Sequence, residues 1–314
     1  MNRIGPHTGA SAGENGLPRL MTELVASTEA LSAVSAALWL HGSGQRAAPA
    51  VERTLGEVLA AVGLADLRAL EREDVAQLAQ TIRARVREAS ELGLDPLREP
   101  GRASAHLEVI CAASLGSELL APLLRDAVVP RLLGLAERLS APRAAFLEVG
   151  VGAGGLVIAL CRLLPHLTAT GIDVHEPALA LGRQRARAAG LAARALLRRQ
   201  DVADLADRDR YDLAWLPTSF IGPEILPGAA RRVLAATRPG GWVILSGHGG
   251  VDELSIALAR LRTARQGGTL LTRLSAESLL ATIGCESVQA LPRHPMPALE
   301  MTAGRRPCVG ARAA

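Results

Sequence analysis

The apolar residues of the chain recur in two different rhythms, and the change between them falls near residue 142. Up to Leu139 they return every three, four or seven positions: Leu20, Leu24, Leu31, Val34 and Leu38 first, then Val51, Leu55, Val58, Leu59 and Val62, then Val75, Leu78, Ile82 and Val86. That spacing lines one face of an α-helix and predicts an all-helical segment. Gly63 is read as the stop of the second helix, and the Asp95-Pro96 and Glu99-Pro100-Gly101 steps as the stop of a third, Asp74 to Leu92. Two further helices are expected at Ala103 to Ser114 and Glu118 to Leu139.

Past Ser140-Ala141-Pro142-Arg143 the pattern changes to short apolar runs alternating with helical stretches. Strands are predicted at Ala145 to Val149, Ala169 to Asp173, Ala195 to Gln200, Tyr211 to Leu216, Trp242 to Ser246, Ser287 to Leu291 and Leu299 to Thr302. Helices fall at Gly155 to Leu164, Pro177 to Ala189, Pro223 to Thr237, Asp252 to Arg265 and Ala276 to Ile283. Strand and helix in alternation imply an α/β fold, a doubly wound parallel sheet, here with an antiparallel pair at its end. The expected organisation is a disordered tail (1–16), a helical domain (17–142) and an α/β domain (143–312).

Length and composition agree with two modest domains: 314 residues, 49% hydrophobic and 21% charged. No run of 18 uninterrupted apolar residues occurs and the polar N-terminus has no apolar signal core, so a cytoplasmic chain with no membrane partner is expected. The net charge of +4 raises nucleic acid as a partner, but only 2% of residues are aromatic, so stacking platforms are scarce and no nucleic acid is expected. Arg183, Arg185, Arg187, Arg194, Arg198 and Arg199 are read as a solvated helix face and strand edge. All 35 basic residues are arginine, which excludes lysine Schiff-base chemistry and a Walker A loop. The four cysteines lie far apart with no ligand spacing, so neither zinc nor a disulfide is implied, and each is read as a small core hydrophobe.

The strongest chemical signal is Phe146-Leu147-Glu148-Val149-Gly150-Val151-Gly152-Ala153-Gly154-Gly155, an apolar strand running through glycines into an apolar helix. Glycine lets the backbone turn sharply and approach a ligand, and the helix start offers free N–H groups and a positive dipole end. Gly150, Gly152 and Gly155 also satisfy the dinucleotide pattern G-x-G-x-x-G, so other residues must decide. Glu148, two residues before Gly150, is a carboxylate near a buried strand end; it repels a pyrophosphate and attracts ammonium or sulfonium charge. Asp173 ends the second strand, where a carboxylate can accept both hydroxyls of a ribose, and Gln200-Asp201-Val202 follows the third, where a carboxylate can read an adenine amino group.

Taken together, Glu148-x-Gly150-x-Gly152-x-Gly154, Asp173, Gln200-Asp201-Val202-Ala203-Asp204, Tyr211-Asp212-Leu213 and Arg238-Pro239-Gly240-Gly241 resemble the ordered motifs of class I S-adenosylmethionine-dependent methyltransferases. The resemblance spans about half of the chain. It implies a Rossmann-like sheet of order 3-2-1-4-5-7-6 with strand 7 antiparallel, and S-adenosylmethionine as cofactor at the carboxyl ends of the strands. Gly150, Gly152 and Gly154 would pass the methionine moiety, Glu148 would act near its amino-acid end, Asp173 would hold the ribose, Val174 would pack on the adenine and Asp201 would bond its amino group; Val202 and Leu216 complete the cofactor set. The helical front half resembles the cap of small-molecule methyltransferases of bacterial secondary metabolism, which implies a small-molecule or peptide acceptor and a homodimer formed through the helical domain.

Acceptor-side residues are expected after the fourth strand, at Pro217, Thr218 and Phe220, with His106 from the preceding helices. The proline pair and acidic or amide residue of base-modifying methyltransferases are missing there, and so is the histidine of the caffeic-acid type. No metal triad is seen. His248, in Ser246-Gly247-His248-Gly249-Gly250, is the best-placed general base, set against its reading as a loop histidine. His106, with Arg102 and Ser104 beside it, is set against a surface role. Two alternatives remain open at this point: a non-catalytic or repurposed S-adenosylmethionine binder, and an NAD(P)-dependent oxidoreductase.

Overall fold

The computed structural model describes residues 16–64, 72–101, 106–292 and 299–308. The expected tail, apart from Gly16, lies outside the described residues, as do Arg102 and Ser104. The chain forms two compact units, residues 1–94 and 95–314. The division therefore falls at Leu94/Asp95, while the periodicity changes at residue 142.

In the first unit, helices α1 (Gly16–Ser43), α2 (Pro49–Ala61) and α3 (Arg72–Leu94) share a small core of Val34, Ala37, Leu38, Leu59, Val75 and Ala79. Arg83 lies over the Trp39 ring at 5.5 Å from its centroid, a cation–π contact at the edge of that core. Gly63, with φ +81°, follows α2 as the left-handed stop its position predicts. The periodic apolar row of α1 is only half used: Val34 and Leu38 are buried, whereas Leu20, Leu24 and Leu31 are exposed.

The second unit opens with α4 (Leu107–Gly116), a 3-10 turn (Ser117–Leu119), the single turn α5 (Leu120–Leu123), a wide π turn (Leu124–Val128), another 3-10 turn (Val129–Arg131) and α6 (Leu135–Ser140). The expected single helix from Glu118 to Leu139 is thus broken. Pro130 has no N–H for the carbonyl four residues back, and Gly134 enters the left-handed region at φ +72°. These pieces belong to the second unit because Leu120, Leu124, Val128, Leu132, Leu135 and Leu139 join one core with the sheet residues Phe146, Trp215, Trp242 and Ile244. Helical periodicity marks a layer here, not a domain. Gly16–Ser43 and Leu107–Arg131 have the length and mean hydropathy (1.2 and 1.6) of a bilayer-crossing helix, and the second owes its apolar character to this core.

The sheet has seven strands in the order β3-β2-β1-β4-β5-β7-β6. They are β1 (Ala145–Val149), β2 (Thr168–Asp173), β3 (Ala195–Arg199), β4 (Tyr211–Pro217), β5 (Thr237–His248), β6 (Glu286–Ala290) and β7 (Leu299–Arg305), with β7 antiparallel to both neighbours. Helices α7 (Gly155–Leu163) and α8 (Glu176–Ala188) cover one face; α9 (Leu226–Ala236) and α11 (Arg273–Thr282) cover the other, and α10 (Glu253–Arg265) follows β5. Each predicted strand is present. The largest boundary difference is β5, which starts five residues early and runs through Arg238-Pro239-Gly240-Gly241. Gly240, at φ +75°, bulges that stretch, so that Tyr211 pairs Thr237 while Leu213 already pairs Trp242.

Asp212 explains how the amino end of the sheet is held. Its side chain is 4% exposed, and it accepts hydrogen bonds from Arg238 (2.5 Å), Arg138 (3.3 Å) and the Ala145 backbone N–H (2.9 Å), joining β1, β4, β5 and α6. Of the four cysteines, Cys161 is buried as a core hydrophobe, but Cys308 is exposed because it follows the last strand at the rim.

Candidate functional site

The carboxyl ends of β1, β2, β3 and β4 meet along one edge of the sheet, where the parallel register aligns them. β1 ends in a loop whose glycines all take left-handed angles: φ +71° at Gly150, +55° at Gly152 and +78° at Gly154. Only glycine adopts three such turns in five residues without strain. The loop is bound to β2 through Gly150 N–H and Val151 N–H, both donating to the Ile172 carbonyl at 2.8 and 3.1 Å. Space is tight beneath it: a Cβ on Gly171 would stand 2.4 Å from Val151, and one on Gly182 2.6 Å from Leu197.

Asp173 closes the arrangement. Its carboxylate, buried at the end of β2, accepts from Gly152 N–H at 2.7 Å with one oxygen and from His175 N–H at 3.0 Å with the other. Val174, next along, is 42% exposed, an apolar side chain left open beside the carboxylate. His175 caps α8, with Nδ1 accepting from Ala178 N–H, so it serves the helix. Asp201, exposed at the end of β3, holds the following turn by accepting from Ala203 N–H at 2.8 Å. Glu148 is 5% exposed and pairs in register with Gly171 on one side and Trp215 on the other.

The helix start behind the glycines differs from the expectation of free N–H groups. Gly155 N–H donates to Ser114 Oγ and Leu156 N–H to Ser117 Oγ, each at 3.1 Å, so two hydroxyls from α4 and the turn after it occupy the N-terminus of α7. A pyrophosphate bound in the dinucleotide manner relies on such groups, and here they are satisfied from inside the protein. Arg185 adds a second tie: it donates to the Ala153 carbonyl at 2.6 Å and pairs with Glu118. Neither link is visible in local sequence, because the partners lie 41, 39 and 32 residues from the loop they hold.

Arg183, Arg194 and Arg198 likewise have internal partners, in Glu176 and the Leu197 carbonyl, in the Leu164 and Leu167 carbonyls, and in Asp207. With Arg185, four of the six arginines first read as a solvated face are thus engaged by the fold itself. Asp207 is held below the ordinary carboxylate range, burial notwithstanding, by Arg198, Tyr211 and Arg210, and the Tyr211 hydroxyl is pushed up to about 12 by burial and by Asp207.

On the acceptor side, Pro217 and Phe220 stand over the glycine loop: a Cβ on Gly150 would lie 3.4 Å from Phe220 and 3.8 Å from Pro217. Thr218, the first residue of the 3-10 turn that follows β4, is buried and lines a cavity together with residues of α11. Leu216 is fully buried and Val202 is 7% exposed, and both side chains belong to the core on the α9 and α11 face of the sheet. His248 is 9% exposed at the end of β5, its Nε2 3.0 Å from Gln266 Oε1 at the end of α10. His106 is exposed at the N-cap position of α4, two turns before Ser114, whose Oγ accepts from Gly155 N–H. Trp215 is core, as its strand position predicts. Among the described residues no three His, Cys, Asp or Glu side chains converge as a metal site needs.

The donor set fits the cofactor that the motifs imply. Carboxylates Glu148, Asp173 and Asp201 line the strand ends, the first two N–H groups of the helix start are capped by serine hydroxyls, and an open valine stands beside the ribose-type carboxylate. Residues 146–241 match the family model described as a methyltransferase domain. No curated protein matches the sequence. Among solved structures the chain resembles an O-methyltransferase family protein from Burkholderia thailandensis at 15% identity and a TM-score of 0.63, covering 96% of this chain and 100% of that one. It resembles human N-acetylserotonin methyltransferase, solved with S-adenosylmethionine, at 14% identity and a TM-score of 0.63 over the same shares. A mitomycin 7-O-methyltransferase aligns at 16% identity and a TM-score of 0.58, covering 92% and 98%. At these identities the likeness is one of fold.

Proposed function

We propose, for a chain that carries a class I methyltransferase domain using S-adenosylmethionine, that its reaction is methylation of an oxygen on a small organic molecule of secondary metabolism. The observation that carries the cofactor reading is the pairing of a carboxylate-lined shelf with an α7 start already capped by Ser114 and Ser117. The choice of an oxygen acceptor is supported by the neighbours of like fold, two of which are named as O-methyltransferases.

S-adenosylmethionine supplies an electrophilic methyl on a sulfonium, displaced in line by the acceptor. This chain's residues align and desolvate. In this reading Asp173 accepts the ribose hydroxyls while fixing the loop through Gly152, Val174 packs on the adenine, Asp201 takes its amino group, and Glu148 faces the amino-acid end. Pro217 and Phe220 exclude water over Gly150. His248 is the proposed base. Its ring is held by Gln266, whose Oε1 lies 3.0 Å from Nε2. The exposed apolar residues Leu17, Leu20 and Leu24 of α1 support pairing of the helical unit with a second copy. The site of action we propose is the cytoplasm.

Calorimetric titration with S-adenosylmethionine, S-adenosylhomocysteine, NADH and NADPH tests the cofactor. Micromolar binding of the two sulfur nucleotides alone is expected; binding of the nicotinamides alone would overturn the reading. With an oxygen acceptor that is turned over, His248→Gln is expected to lower kcat about a hundredfold while cofactor affinity stays put. An unchanged kcat would remove His248 from the mechanism.

A further inference from the structure

Helix α10 turns its leucines outward. Its buried residues are Ala259 and Thr263, while Leu254, Leu258 and Leu261 are 63%, 42% and 42% exposed. Steps of three and four positions put these leucines on one face with Ala257 and Ala264, which are also exposed. A surface helix ordinarily does the reverse, and a contiguous apolar stripe left open marks a contact site.

Charge says what covers the stripe. One edge of it carries Glu253 and, about two turns on, Arg260, both exposed. Neither has an opposite charge three or four positions away on the helix, where Ile256, Ala257, Thr263 and Ala264 stand instead. Two helices packed antiparallel about a two-fold axis bring the same edge of each together in opposite directions. Glu253 of one copy then lies beside Arg260 of the other, offset by about 3 Å along the axis, which an arginine spans. The apolar residues close in the same register. With the axis between Ala257 and Leu258, Leu254 meets Leu261 of the second copy, Leu258 meets its own counterpart, and the small Ala257 lets the backbones approach.

We propose that α10 is a self-recognition surface, covered by α10 of a second copy of this chain in an antiparallel pair about a two-fold axis. The contact is separate from the pairing through α1 and does not depend on which atom the protein methylates. One helix pair buries less than the roughly 1,200 Å² of a stable interface, so the assembly is a weak one that dissociates on dilution.

Cysteine cross-linking of the full-length protein reads the register. It is done in Cys308→Ser, because Cys308 is itself exposed. Leu258→Cys should give a covalent dimer on mild oxidation at about 100 µM protein. Leu254→Cys should not link to itself, since its two copies lie about 10 Å apart along the axis and a disulfide needs Cα atoms within about 7 Å. Mixed with Leu261→Cys, it should link. Glu253→Arg should cut the Leu258→Cys yield severalfold, and adding Arg260→Glu should restore it. The link should also persist in Leu20→Glu, which opens the α1 pairing, so failure of one contact is told from failure of the other. The native circular dichroism spectrum of each variant serves as the folding control. No link through Leu258→Cys, a self-link through Leu254→Cys, a yield indifferent to Glu253→Arg, or loss of the link in Leu20→Glu would each overturn the proposal.

Discussion

Replacing Asp173 by alanine is expected to weaken S-adenosylmethionine binding about a hundredfold. The carboxylate does two things at once. It accepts Gly152 N–H at 2.7 Å and His175 N–H at 3.0 Å, which hold the glycine turn and the start of α8 in place, and in our reading it also accepts the ribose hydroxyls. Hydrogen bonds to a charged group contribute roughly 1.5–3 kcal/mol each, and about 2.7 kcal/mol is two orders of magnitude in affinity. Asp173→Asn keeps one carbonyl acceptor and should lose less, about tenfold. Titration of the cofactor into each variant reads the effect directly. An alanine variant that binds as the native protein does would show that the ribose lies elsewhere on the shelf.

Gly155→Ala is expected to be the most damaging single-methyl change in the loop. The added Cβ would stand 1.7 Å from the Ser114 carbonyl oxygen and 2.7 Å from Ser117 Oγ. Those atoms are backbone and a short, bonded side chain, so the overlap cannot be relieved by a rotamer. α4 must move off α7, and Ser114 and Ser117 then lose the Gly155 and Leu156 N–H groups they cap. Loss of two caps alone costs about 2 kcal/mol, and the overpacking adds 1–3 kcal/mol or more. A fall of about 3–5 kcal/mol in unfolding free energy is expected in urea denaturation. Ser114→Ala, which removes a cap without overlap, should cost about 1 kcal/mol. If Gly155→Ala lowers stability by less than that, the close approach of α4 to the loop is not a feature of the folded protein.

These two variants separate parts of the site that the primary structure treats as one motif. Glycine at 150, 152 and 154 is required by left-handed backbone, whereas Gly155 has no such angle and is required by what packs against it. The serine caps also bear on the choice of cofactor. A loop with the G-x-G-x-x-G spacing invites a dinucleotide, but the feature that would bind the pyrophosphate is occupied from α4.

Much of the fold is determined by the sequence alone, because strands and helices announce themselves over a few residues. The β1 run Ala145–Val149, the glycines after it, and the carboxylates at the ends of β1, β2 and β3 are all set by local patterns, and their order along the chain implies the order of the sheet. What only the tertiary structure decided depends on residues far apart. The helices of 107–140 share their period with α1 to α3, yet they are a layer of the sheet unit, since periodicity reports that a face is apolar and not what covers it. The same ambiguity leaves Leu20 and Leu24 exposed on an apolar helix face whose Val34 and Leu38 are buried. Ser114, Ser117 and Arg185 act on the glycine loop from other elements, and no pattern near Gly150 points to them. Thr218 and His248 were singled out by position after their strands; that one lines a cavity with residues of α11 and the other is bonded to Gln266 follows from where α10 ends and α11 packs, which the fold alone brings together.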